Sequence, residues 1–61
     1  MSQLNSLELQ HLRGLIGAQE TTYQKMQAYA RDAMDPQVKA YFTTAAQGAS
    51  KTMTQLMGFL C

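Results

Sequence analysis

The stretch DAMDPQVKAYF, Asp32 to Phe42, contains the single proline of a 61-residue chain and divides it into two parts. Proline disfavours helical geometry in the residue before it, and its fixed φ suits the first position of a new helix. Asp35 is placed to cap that helix, because a side-chain oxygen there accepts from backbone N–H groups that lack a partner inside the helix. Asp35-Pro36 therefore ends one helix and begins another. Lys39, four residues after Asp35, forms a weakly favourable charge pair with it. With so short a link, the second helix must fold back beside the first.

Upstream of this corner, Asn5 is a good N-cap and Glu8, three residues on, completes a capping box, with Leu4 and Leu9 at the staple positions. A helix is expected over residues 6–34. Along it runs one stripe, Leu9, Leu12, Ile16, Gln19, Tyr23 and Met26, continuing to Ala30 and Ala33. Its steps alternate between three and four residues, the seam of helices packed at a shallow angle. Gly14 and Gly17 lie off the seam, where they either permit close helix approach or are tolerated on a solvated face. Each costs about 1 kcal/mol of helix propensity relative to alanine.

Downstream, a second helix over residues 36–60 repeats the pattern through Val38, Phe42, Ala45, Ala49, Thr52, Leu56 and Phe59. Small residues, Ala49, Ser50 and Thr52 among them, stand where a buried face usually carries bulk. Flanking positions widen the apolar surface: Leu15 and Tyr29 on the first helix, Tyr41, Ala46, Met53 and Leu60 on the second. One neighbouring helix cannot cover a face of that width. The fold class expected is all-α: an antiparallel two-helix hairpin, one domain over 1–61, that dimerises into a four-helix bundle. The self-association interface is expected from Leu9, Leu12, Leu15, Ile16, Tyr23, Met26 and Tyr29 on the first helix. The second helix is expected to add Phe42, Met53, Leu56, Phe59 and Leu60.

Composition agrees with a small folded domain that needs help. Hydrophobic residues make up 46% of the chain, with four glycines, no tryptophan and one cysteine. At this size a single core is marginal, and no disulfide pair or zinc-ligand set is present to add stability. A partner subunit is the remaining source of burial. Net charge is +1, and the five cations are scattered, which argues against a nucleic-acid surface. No apolar run approaches the roughly 20 residues of a membrane span. The opening MSQLNSLELQ lacks a basic start and an apolar stretch, so cytoplasmic synthesis is expected. Cys61 cannot form an internal disulfide and is either a free thiol or an intermolecular cross-link.

Chemistry is sparse. His11 lies off the seam and is the only histidine, while Glu20 borders the seam next to Gln19. Serines and threonines decorate the second helix, but none has an evident base beside it. No glycine-rich phosphate loop or cysteine pair at zinc spacing occurs. The five methionines suit irregular helix packing. No catalytic residue, cofactor or enzymatic activity is expected.

With the hairpin in place, ETTYQKMQAYARDAMDPQVKAYFTTAA, Glu20 to Ala46, resembles the Coat F family of small spore coat proteins, within the ferritin-like superfamily. The markers are Glu20, Tyr29-Ala30, the corner DPQVK from Asp35 to Lys39, Phe42 and Leu56, and the resemblance runs from Leu7 to Leu60. Metal-binding ferritin-like proteins set a glutamate in one helix and a Glu-x-x-His pair in the next. Matched from the corner, that pair falls on Ala49 and Thr52, which cannot coordinate metal. Glu20 alone remains as a candidate metal ligand, and the resemblance implies an empty site. It also implies a non-enzymatic structural role: synthesis in the mother cell, homodimerisation, and assembly with other coat proteins on the spore surface. Eight glutamines, three lysines and a terminal Cys61 are compatible with cross-linking there. Two alternatives stand beside this reading. One is a ferritin-like metal-binding protein using Glu20 and His11, and the other is an adaptor whose helical face takes a partner's helix.

Overall fold

The computed structural model describes residues 4–60, and these form a helical hairpin. Helix α1 spans Ser6–Asp32 and helix α2 spans Pro36–Met57, followed by a 3-10 turn over Gly58–Leu60. The two helices pack against each other, and Tyr29 meets Phe42 near the corner while Leu15 and Phe59 share a groove at the far end. They therefore run antiparallel.

Local chemistry sets the helix ends. Asn5 Oδ1 accepts from the Glu8 backbone N–H at 2.7 Å, and the Asn5 N–H donates to Glu8 Oε1 at 3.1 Å, so the capping box is closed in both directions. At the corner, Asp35 Oδ1 accepts from the N–H groups of Gln37 (2.7 Å) and Val38 (3.1 Å). That carboxylate is committed to the helix terminus. The expected Asp35–Lys39 pair is replaced by a contact between Arg31 and Asp32 at 3.7 Å, with both side chains largely in solvent. Such a pair adds little stability.

Both helices end earlier than the sequence suggests. Helix α1 stops at Asp32, two residues short of the expected 34, because Ala33 is already extended (φ −69°, ψ 135°). Asp35 must also be extended, both as a cap and as the residue before proline, so the chain leaves the helix early enough to turn. Helix α2 ends at Met57 rather than 60, and its last residues tighten into the 3-10 turn, a common helix ending.

The expected seam of α1 is the face that packs: Leu12 is buried, and Leu9, Ile16, Gln19, Tyr23 and Met26 are half-buried. On α2 the most enclosed residues are Ala46 and Ala49, 4% and 5% exposed. The small residues of α2 thus mark where the helices approach most closely. No side chain among the described residues is fully enclosed, and the core is thin.

Val38 and Phe59, at the two ends of the α2 stripe, are exposed. For Phe59 the reason is geometric. A stripe stepping by three and four residues drifts by about 20° per heptad around a straight helix. Through Ala45 and Thr52 to Phe59, it walks off the seam onto one side of the hairpin.

The glycines of α1 resolve one open question. A methyl group built on Gly14 or Gly17 meets nothing within 4 Å, so neither glycine serves close helix packing. Replacing Gly17 by alanine is expected to stabilise the hairpin by about 1 kcal/mol, read as a rise in thermal midpoint at fixed protein concentration.

Candidate functional site

Two long sides flank the seam, and they differ in chemistry. One carries Tyr23, Gln27 and Arg31 of α1 facing Thr43, Ala46 and Gln47 of α2. Gln27 Nε2 donates to the Tyr23 hydroxyl at 2.7 Å, a polar pair on the surface. Arg13 and Glu20 precede Gln27 by two and one heptads and extend the same side, since residues seven apart on a helix lie nearly in line.

The other side is more apolar, with charged residues at its ends. Near the corner, Tyr29, Asp32 and Ala33 form a shallow groove with Val38 and Phe42 of α2. Tyr41 stacks edge-on against Phe42, with ring centroids 5.6 Å apart, and is 69% exposed. At the opposite end, Leu4, Glu8, His11, Leu12 and Leu15 form a second groove with Phe59. Between the ends, heptad spacing aligns Leu15 with Thr22 and Tyr29 on α1, while α2 presents Tyr41, Ala45, Gly48, Thr52 and Phe59 in one row. This broad face has bulk and one carboxylate at each end, Glu8 and Asp32, and small residues at its waist.

The expected interface residues divide between two places. Leu12 is buried, and Leu9, Ile16, Tyr23, Met26, Phe42, Met53 and Leu56 are half-buried along the contact within the hairpin. Leu15, Tyr29, Phe59 and Leu60 are exposed. Cys61, the expected site of an intermolecular disulfide, lies outside the described residues. Val38, Tyr41, Thr22 and Gly48 belong to the broad face but not to the expected interface. The signal was in the sequence: Tyr41, Gly48 and Gln55 stand one residue before Phe42, Ala49 and Leu56, and they lie beside Thr52 and Phe59, where the first stripe drifts.

Ala49 is buried and Thr52 half-buried, while Glu20 is exposed on the polar side. His11 is exposed in the groove beside Glu8 and Leu15. Among the described residues, no group of three or more histidine, cysteine or carboxylate side chains is close enough to hold a metal ion. The hydroxyls of Thr21, Thr43 and Thr54 donate to carbonyl oxygens four residues back, at 2.9–3.1 Å, and so are tied to the backbone. No described helix is long and apolar enough to cross a membrane.

Compared with known families, curated proteins and solved structures, the chain matches none. The surface itself is therefore the ground for a functional reading.

Proposed function

We propose that this protein is a non-enzymatic assembly module whose hairpins associate with one another, in the manner of the small spore coat proteins it resembles. The observation that supports the reading is the amount of surface one hairpin leaves uncovered. A folded monomer of 6.8 kDa exposes about 4000 Å² by the scaling of surface with mass. This chain exposes 4800 Å². The surplus of about 800 Å² equals the area that each partner contributes to a standard protein interface. Shape says the same. The radius of gyration is 14.2 Å, against roughly 10.5 Å for a compact domain of this length, and the Cα envelope measures 45 × 15 × 10 Å. Packing two such slabs face to face produces a four-helix bundle.

The resemblance supplies the setting: production in the mother cell and incorporation into the spore coat, with other coat proteins as further partners. Light scattering on the reduced full chain at micromolar concentration tests self-association. A mass of two chains or more is expected, and a well-folded solitary chain would overturn the proposal. A fluorescent fusion followed through sporulation tests the setting, with signal collecting at the spore surface expected and signal that never reaches the spore counting against it.

A further inference from the structure

We infer that the second copy packs on the broad face lined by Leu15, Thr22 and Tyr29 of α1 and by Tyr41, Gly48 and Phe59 of α2. The inference rests on self-association and adds which surface carries it. Three observations converge on this side of the hairpin.

The first is the contrast between the two sides. The polar side presents Arg13, Glu20, Gln27 and Arg31, whose charged and amide groups would have to be stripped of water and paired one by one on docking. On the broad face the carboxylates stand at the two ends, Glu8 in one groove and Asp32 in the other, and the α1 row from Leu15 to Tyr29 carries no charge, so covering that stretch removes apolar surface from water at little polar cost.

The second is its exposed bulk. Among the described residues, five of the nine exposed large hydrophobic ones, Leu15, Tyr29, Val38, Tyr41 and Phe59, lie on this side and are each at least 45% exposed. Leu15 and Tyr29 are separated by about 21 Å along α1 at 1.5 Å per residue. A ridge of that length suits another helix pair better than a small ligand. Large side chains gathered on one contiguous surface mark an interaction site, whereas scattered ones do not.

The third is relief. The bulky residues stand at the two ends, and between them lie Ala18, Thr22, Ala45, Gly48 and Thr52. A second hairpin can approach closely at this waist while the aromatic and leucine side chains of each copy cover those of the other. A methyl group built on Gly48 meets nothing within 4 Å, so the waist is open in the single chain. The surplus area calculated above is of the size such a contact would cover. A copy of the same chain is the partner because the face is self-complementary, with bulk opposite bulk and waist opposite waist under a two-fold axis through its middle.

Neighbouring residues provide the test. Gly48→Glu and Thr22→Glu put a carboxylate on the waist, and Gln47→Glu puts the same group one residue away, on the side that Tyr23 and Gln27 occupy. All three positions are exposed, so each variant should retain its helical circular dichroism. Sedimentation equilibrium of the full chain in reducing buffer is expected to show wild type and Gln47→Glu as dimers. Gly48→Glu and Thr22→Glu should raise the dimer dissociation constant by at least about tenfold, because each dimer would bury two unpaired charges. Dissociation of Gln47→Glu with the waist variants intact would overturn the assignment of the face while leaving self-association standing. Equal behaviour of all three variants would overturn the assignment too, whereas a monomeric wild type would overturn the proposed function itself.

Discussion

Ala49→Glu should unfold the hairpin, with most of the helical circular dichroism lost at room temperature. Ala49 is 5% exposed and, with Ala46, is the most enclosed residue of α2. From the meeting of Tyr29 with Phe42 and the sharing of a groove by Leu15 and Phe59, the antiparallel register sets Ala46 and Ala49 opposite the turn of α1 that holds Tyr23 and Met26. A glutamate there needs volume that the seam lacks and buries a carboxylate without a partner. The second term alone costs at least about 3 kcal/mol, and overpacking adds about 1–3 kcal/mol. A 61-residue hairpin with so thin a core has little to set against that. The same replacement at Gly48 should leave the hairpin folded and weaken only the proposed dimer, and at Gln47 it should alter neither. Three consecutive positions thus read out seam, broad face and solvated side. An unchanged thermal midpoint for Ala49→Glu would show that the helices are not in this register.

The result also bears on the ferritin-like comparison. Ala49 is the position where the resemblance would place the glutamate of a Glu-x-x-His pair. In this chain that position is buried in the helix contact. The stretch from Ala45 to Leu56 is poor in bulk because small residues let the helices approach closely. Restoring a metal-binding pair with Ala49→Glu and Thr52→His would require moving α2 away from α1.

Most of the fold was legible because its determinants are local. The Asn5–Glu8 capping box, the Asp35-Pro36 corner and the stripe from Leu9 to Ala33 each act within a few residues, and all three are present as the sequence suggests. Helix ends were less legible. Two elements compete for Ala33 to Asp35, and the requirement for an extended cap before Pro36 shortened α1. The candidate site was legible as a quantity and not as a place. Helical spacing shows how wide an apolar surface is, but not which strip the neighbouring helix takes and which it leaves. The sequence therefore pools Leu12 and Ile16, enclosed against α2, with Leu15 and Tyr29, which touch α2 at its edge and stay largely exposed. Tyr41 and Val38 acquire meaning only once the corner fixes how α2 is rotated against α1.

Phe42→Ala is expected to show how closely the two surfaces are linked. Phe42 is half-buried, with the Tyr29 ring 5.3 Å away at 63° and the Tyr41 ring 5.6 Å away at 72°. It belongs to the seam, yet it supports both tyrosines of the broad face. Truncating a fully buried phenylalanine costs about 3–5 kcal/mol. Partial exposure brings the direct cost here to about 2–3 kcal/mol, within which each edge-to-face pair accounts for about 0.5–1.5 kcal/mol. Ile16→Ala, also on the seam, should cost about 2 kcal/mol without disturbing an aromatic contact. If the tyrosines need Phe42 to hold their orientation, Phe42→Ala will weaken dimerisation more than Ile16→Ala does at matched loss of stability. Chemical denaturation combined with sedimentation at several concentrations separates the two effects. His11→Ala, an exposed change away from the aromatic cluster, should shift stability by less than about 0.5 kcal/mol. A larger loss from His11→Ala than from Phe42→Ala would mean that the cohesion of the hairpin lies at its open end and not at the corner where Tyr29, Tyr41 and Phe42 meet.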